Sequence, residues 1–485
     1  MILCEHLTFF VLMQEVRLFK IKVRFIAIIN MVRTENIMNL TVKEIAALFG
    51  QNEFQEETLI SNIEFDSRKI TTGGLFVPLA GERDGHDFVN LAKENGAIAT
   101  FWSQEINKAP KDMIVILVAD VLAAFQTLAQ YYLQKVKPKV AAITGSNGKT
   151  TTKDMTAAVM ATQFKTYKTQ GNYNNNIGMP YTILHMPTDC EVLVLEMGMD
   201  HAGELTELSL LAQPDAGAIT IIGEAHIENL GSRAGIAKAK MEITAGLKRD
   251  GLLVVPADEE LLTPLVSDLT QKVVTFGLSA GDLTATITKE DKTKTTFMVA
   301  DKEYSIPVIG GYNVKNALIA YALGEYFGVS QQNIKQGLAE FQLTKNRTEW
   351  LAAKNGAQIL SDVYNANPTA MGLVLDTVAN LNTAGRKLAV LADMLELGPD
   401  SPTMHARMAN HIDDRFNIIF LYGSEMKALF NALTKKDSQL MVYHFDKENK
   451  AQLIKLVQAE LQPTDTIVLK GSNGMGLTEV VSALM

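Results

Sequence analysis

Apolar and polar positions along the chain switch between two periods. Over 41–49, Val42, Ile45, Ala46 and Phe49 recur three and four residues apart, the spacing of one helix face, so a short helix is predicted there. Shorter extended pieces are predicted around 66–68 and 75–79, followed by a polar loop at 81–86. A longer helical pattern over 122–136 stops at Lys137-Pro138-Lys139, where proline has no amide to continue a helix. Past that breaker, near-continuous apolar runs at 140–144, 192–195 and 216–222 alternate with longer helical segments. Such runs belong to a parallel sheet covered on both faces. The stretch 282–306 alternates Thr, Val and Tyr with charges and predicts a small antiparallel addition. Further runs at 359–360, 387–392, 418–422 and 466–469 predict a second parallel sheet.

These elements, in a chain of 485 residues, predict an α/β protein of three domains. A small α/β domain is expected over 38–138, a central domain with a mostly parallel sheet over 139–342, and a Rossmann-like α/β domain over 343–485. Residues 1–37 carry short apolar stretches broken by Glu15, Arg17, Lys20, Lys22 and Arg24. They read as an upstream extension, with folding expected to begin near Met38. No stretch reaches the roughly 20 apolar residues of a membrane span, and none has the layout of a signal peptide. With 47% hydrophobic and 20% charged residues the composition is that of a soluble globular protein. A formal net charge of -9 argues against non-specific nucleic-acid binding, which needs a clustered basic surface. Two cysteines, Cys4 and Cys190, are too few for a disulfide framework, and a reducing cytoplasm fits best.

The strongest chemical signal follows the first long apolar run. Gly145-Ser146-Asn147-Gly148-Lys149-Thr150-Thr151 joins a strand to a helix. Glycines let backbone N–H groups close around phosphate oxygens, the helix N-terminus adds partial positive charge, Lys149 neutralises terminal phosphates, and Thr150 can hold Mg²⁺. The central domain is therefore expected to be P-loop ATPase-like, although the loop is shorter than G-x-x-x-x-G-K-[ST]. In open parallel sheets ligands sit beyond the carboxyl ends of strands. Glu196 closes the run 192–195 and His226 follows 216–222, so both are candidates for the same crevice as Lys149. A carboxylate suits Mg²⁺ well and an imidazole less so. On the residues alone, Glu196 is equally readable as a strand-end surface charge. Lys238 and Lys240 stand two apart on a predicted helix and face different ways, so one of them can approach the crevice.

Thr144-Gly145-Ser146-Asn147-Gly148-Lys149-Thr150-Thr151 resembles the ATP loop of Mur ligases and folylpolyglutamate synthetases. Glu196-Met197-Gly198-Met199 and Gly223-Glu224-Ala225-His226-Ile227-Glu228-Asn229 are similar to Mur ligase motifs. The resemblance implies that Glu196 and His226 bind Mg²⁺ and that Lys240 is carbamylated, helping to hold a second Mg²⁺. Gly311-Tyr312-Asn313-Val314-Lys315-Asn316-Ala317 is similar to G-x-H-N-x-x-N-A, with Tyr312 in place of histidine, and implies that Asn316, supported by Asn313, meets adenine. Asn346-Arg347 stands where the family has glycine before arginine, and implies a guanidinium at the γ-phosphate. Asp362-Val363-Tyr364-Asn365-Ala366-Asn367-Pro368 resembles the D-x-Y-N-A-N-P signature of the Mur ligases that add D-alanyl-D-alanine. It implies that Asp362 contacts the ribose and that Tyr364, Asn365 and Asn367 shape an interdomain site. The stretch 391–398, His405 and Lys470-Gly471-Ser472 extend the similarity, with Ala392 and Asn473 as departures. Asp66-Ser67-Arg68 and Asp84-Gly85-His86-Asp87-Phe88 resemble UDP-binding loops, giving Ser67, Arg68 and His86 to the nucleotide-sugar substrate. The stretch 171–178, with Asn172, Asn174 and Asn175, resembles the loop that approaches the muramoyl group.

The implied activity is ATP-dependent ligation of D-alanyl-D-alanine to UDP-N-acetylmuramoyl-tripeptide through an acyl phosphate, by a cytoplasmic monomer, in peptidoglycan precursor synthesis. An earlier Mur ligase or a folylpolyglutamate synthetase is a rival that the Tyr364–Pro368 stretch speaks against. A nucleotide-binding switch, for which the phosphate loop would suffice, is a rival of a different class, separated by whether phosphate release needs both substrates.

Overall fold

The computed structural model describes residues 38–55, 57–345, 347–436 and 439–485, so the expected extension 1–37, Cys4 and Asn346 lie outside the described residues. Two compact units form: one runs up to Val136 and takes in Ile183–Asp189, and the other comprises Lys137–Thr182 and Cys190–Met485. The described residues build three sheets, mostly parallel, in an α/β fold.

In the first unit the helix Val42–Ala47 is fixed at its start by a reciprocal cap, in which Thr41 Oγ1 accepts from the Glu44 amide and the Glu44 carboxylate accepts from the Thr41 amide. Strands β1 (Ile63–Glu64), β2 (Gly74–Phe76), β3 (Ala97–Trp102) and β4 (Ile114–Leu117) pair in chain order, all parallel. The helix Val121–Val136 buries Ala124, Phe125, Leu128, Ala129 and Tyr132 along one stripe. One expectation is corrected: 66–68 is a turn, not an extended piece. The Asp66 carboxylate accepts the Arg68 amide at 3.1 Å, and that local bond bends the backbone away from strand pairing.

In the second unit β5 (Lys139–Thr144), β6 (Thr166–Lys168), β7 (Val192–Glu196), β8 (Ala216–Ile219), β9 (Leu252–Pro256), β10 (Lys272–Gly277), β11 (Leu283–Asp291), β12 (Lys294–Val299) and β13 (Lys302–Ile306) form one sheet. Its order is β13-β12-β11-β10-β9-β8-β5-β7-β6, parallel from β6 to β11 and antiparallel through β12 and β13. β5 lies between β7 and β8, so the chain leaves its carboxyl end where ligands settle in such sheets. The helix Lys149–Ala161 lies under the helices Gly311–Phe327 and Gln331–Glu340. Gly337 permits that approach, since a Cβ there would stand 2.5 Å from Val159 Cα.

The third sheet, in the same unit, contains β14 (Glu349–Ala352), β15 (Gln358–Asp362), β16 (Lys387–Ala392), β17 (Ile418–Tyr422), β18 (Met441–Phe445) and β19 (Thr466–Lys470) in the order β14-β15-β19-β16-β17-β18. Only the β14 edge is antiparallel. Alternate residues feed two cores: Leu360, Leu391, Leu421 and Val468 on one face, Ile359, Val390, Phe420 and Ile467 on the other. That double burial is why these strands read as unbroken apolar runs.

Candidate active site

The turn after β5 is built for close approach. Gly145 has φ 145°, and a Cβ there would stand 1.8 Å from Thr220 Oγ1, so only glycine fits. Gly148, at φ 81°, precedes the helix Lys149–Ala161, and its missing Cβ leaves room for the Asn316 amide oxygen. The Ser146 amide donates to Ile221 O at 2.9 Å and the Thr220 hydroxyl bonds Asn147 O, tying the turn to the end of β8.

A cavity of about 630 Å³ opens over this turn. Its walls bring together Ser146, Asn147, Gly148, Lys149, Thr150, Asn172, Asn174, Asn175, Glu196, His226, Arg347, Tyr364 and Asn365, all from the second unit. A smaller cavity of about 80 Å³ adjoins the same loop, lined by Thr151, Asn313, Asn316 and Asp362. Tyr312 and Lys470 line it too, and neither was singled out from the sequence as a site residue.

Lys149 Nζ donates to Gly145 O at 2.8 Å. Burial holds its proton affinity below the ordinary lysine value, Arg347 adds repulsion, and Glu196 and Asp200 oppose the shift. A cation so poorly compensated is poised for an anion. Arg347 turns towards the same space, with Nη2 3.4 Å from Thr150 Oγ1 and its guanidinium 4.0 Å from the centre of the Tyr364 ring. Its Nε is buried without a hydrogen-bond partner.

Glu196 is 3% exposed at the end of β7. Oε1 accepts from Asn174 Nδ2 at 2.9 Å, while Oε2 has no hydrogen-bond partner and has Lys153 Nζ 4.0 Å away. An unsatisfied buried carboxylate oxygen beside the Thr150 end of a phosphate-loop helix fits a hard divalent cation. His226, in the left-handed region at φ 61°, has Nδ1 2.6 Å from Glu396 Oε2 and 3.3 Å from Asp200 Oδ1, close enough for charge interaction but not aligned for a hydrogen bond to either. Burial lowers its proton affinity, against the pull of those two carboxylates. Among the described residues no three His, Cys, Asp or Glu side chains form a ready-made metal cluster. Lys240 is 1% exposed and Lys238 is exposed, so the helix Arg233–Met241 turns Lys240 inward. Lys240 does not line the large cavity; burial, with repulsion from Lys149, pushes its proton affinity well below normal.

Asp362 and Lys470 form a buried pair at 2.5 Å, and Lys470 Nζ also donates to Asn365 O at 2.8 Å, which holds the loop after β15. Asn367 lines neither cavity: its Nδ2 donates to Asn147 Oδ1 at 2.6 Å and its Oδ1 caps the helix Pro368–Asn380. In the first unit Ser67 is buried, Arg68 is exposed and pairs with Asp66 at 2.8 Å, and His86 packs edge-on against Trp102 with Nδ1 2.6 Å from Asp84. None of the three lines the cavity bordered by Ser61, Asn62 and Leu184 or the one bordered by Lys93 and Ile98.

The chain matches the Mur ligase family catalytic domain over 59–137, the Mur ligase middle domain over 143–324 and the Mur ligase glutamate ligase domain over 346–473. The chain belongs to the Mur ligase family. Among its relatives, a UDP-N-acetylmuramoyl-tripeptide–D-alanyl-D-alanine ligase of Bacillus subtilis is 41% identical over 92% of this chain and 98% of that protein. The structure of MurF from Acinetobacter baumannii superposes with a TM-score of 0.83 at 28% identity, over 92% of this chain and 98% of that one. MurF ligase from Thermotoga maritima, solved in complex with ADP, gives a TM-score of 0.76 at 25% identity, over 87% and 96%. Within this Mur ligase, Asp200, Glu396 and Lys470 lie inside or beside the motifs quoted above, and their place in the site comes from the structure: Asp200 and Glu396 stand beside His226, Asp200 lines the large cavity, and Lys470 lines the smaller one and pairs with Asp362.

Proposed function

We propose that this Mur ligase joins D-alanyl-D-alanine to UDP-N-acetylmuramoyl-tripeptide at the expense of ATP, giving UDP-N-acetylmuramoyl-pentapeptide, ADP and phosphate. The observation that carries the reading is the single cavity where Lys149, Glu196, Arg347 and Tyr364 meet, drawn from both halves of the second unit. The terminal carboxylate of the tripeptide attacks the γ-phosphorus of ATP, and the bond to ADP breaks. Lys149 and Arg347 disperse charge on the transferring phosphoryl group. The amine of the dipeptide then adds to the acyl carbon, loses a proton, and expels phosphate. Asn316, supported by Asn313, and Asp362 hold adenine and ribose in the smaller cavity, Tyr364 and Asn365 shape the wall that keeps water from the acyl phosphate, and Asn367 supports that wall from behind by tying it to Asn147 of the phosphate loop. Asn172, Asn174 and Asn175 meet the muramoyl end, and Ser67, Arg68 and His86 meet the uridine diphosphate.

Glu196, Thr150 and His226 would hold Mg²⁺, which supplies Lewis-acid stabilisation of the phosphates. Lys240 is the residue for carbamylation: a disfavoured ammonium leaves the free amine, which adds CO₂ and loses a proton to become a carbamate. The negative charge gained would replace its repulsion of Lys149 with attraction. Domain boundaries at 38–138, 139–342 and 343–485 accompany this reading, as does work by a monomer in the cytoplasm, in a pathway that serves cell shape and division. No helix among the described residues is long and apolar enough to cross a membrane.

Phosphate release tests the proposal. It should be nearly silent with ATP alone and require both UDP-N-acetylmuramoyl-tripeptide, offered with lysine or diaminopimelate, and D-alanyl-D-alanine, with the pentapeptide identified by mass. Hydrolysis indifferent to both substrates would instead favour the switch.

A further inference from the structure

Thr150 and Asp154 stand one turn apart on the helix Lys149–Ala161 and so share a face. Asp154 has no part in the chemistry above, yet it is 2% exposed, and a carboxylate so buried persists only when fully partnered. Its Oδ1 accepts from Lys168 Nζ at 2.7 Å, with Lys153 Nζ at 3.4 Å. Its Oδ2 accepts both the amide of Thr344, at 3.2 Å, and its hydroxyl, at 2.7 Å. Thr344 lies in the segment that leaves the helix Gln331–Glu340 and leads to β14, the passage from the nine-stranded to the six-stranded sheet. Three residues on, Arg347 meets Thr150. The connecting segment is thus fastened to the phosphate-loop helix at two successive turns.

We propose that Asp154 is a positioning residue that anchors this segment at Thr344 so that Arg347 is delivered to the phosphoryl group. Lys153 extends the arrangement, since its ammonium stands between Asp154 and the Glu196 carboxylate. Arg347's role rests on the ligase reading above; the anchor itself does not.

The test uses the full chain and two readouts. Hydrogen exchange of the 341–350 peptide in the apo protein should rise by about tenfold or more in Asp154→Asn and stay within about twofold in Lys168→Met, which removes the β6 partner alone. In ligation, Asp154→Asn should lower kcat on the order of 10–100-fold with KM for the nucleotide-tripeptide within about twofold, and should lower it by no more than about twofold in an Arg347→Ala background. Thr344→Val, which loses only the hydroxyl, should lower kcat about three- to tenfold and serves if Asp154→Asn fails to fold. Unchanged exchange, or an equal kcat loss with and without Arg347, would overturn the anchor. A wild-type chain that ligates none of the offered substrates would sink the ligase reading, while the exchange result would still decide the anchor.

Discussion

Lys149→Met separates what the phosphate-loop lysine does for the protein from what it does for the nucleotide. In the free protein its ammonium has one backbone acceptor, Gly145 O at 2.8 Å, and burial, with repulsion from Arg347, disfavours it more than Glu196 and Asp200 favour it. Replacing this half-buried charge with an apolar side chain of similar length removes a desolvation cost that its neighbours do not offset. The unfolding temperature of the apo protein should therefore hold or rise. A charge-assisted bond to phosphate is worth about 1.5–3 kcal/mol, so affinity for a non-hydrolysable ATP analogue should fall about 10- to 150-fold. The pH dependence carries a sign. Because the folded state binds this proton less tightly, the unfolded chain holds more protons between the depressed folded value and the ordinary 10.5. Wild-type stability should therefore gain with rising pH across that window, and Lys149→Met should gain less. Calorimetric titration and thermal unfolding from neutral to alkaline pH read all three effects. A destabilised apo variant that binds the analogue as tightly as wild type would refute the reasoning.

Other substitutions probe neighbouring parts of the site. Asn174→Ala removes the 2.9 Å bond that orients Glu196, and should raise the Mg²⁺ concentration for half-maximal ligation by on the order of tenfold or more; an unchanged requirement counts against the placement of the metal. Lys240→Ala should lose on the order of 10²-fold in kcat, partly restored by acetate or bicarbonate. Loss without rescue leaves the carbamate unsupported, and full activity refutes it. Gly145→Ala drives a Cβ to 1.8 Å from Thr220 Oγ1 at φ 145°, so it should cost about 1–3 kcal/mol or more in strain and abolish nucleotide binding. Wild-type melting and binding would contradict the turn geometry.

What the sequence made legible had short-range causes. The phosphate loop was readable because strand, glycines, lysine and helix are contiguous from Lys139 to Ala161. The strands of the third sheet were readable because burial on both faces leaves no polar alternation. The inward turn of Lys240 rather than Lys238 was open on helical spacing alone, and burial of one face chose between them. Asp66–Arg68 misled because a carboxylate capturing an amide two residues on makes a turn from residues that otherwise look extended. Lys153-Asp154 inside a helix resembles a solvated charge pair; its burial depends on Lys168, 14 residues away, and Thr344, 190 residues away. Glu396 lies in the stretch 391–398 that resembles the family, but nothing near it in sequence places it 2.6 Å from His226.

The most direct measurement follows the oxygen that an acyl phosphate must carry. With heavy oxygen in the terminal carboxylate of UDP-N-acetylmuramoyl-tripeptide, ligation of D-alanyl-D-alanine should transfer label to the released phosphate, one atom for each pentapeptide formed. Phosphate free of label, while pentapeptide accumulates, would contradict activation of that carboxylate at the Lys149–Arg347 centre.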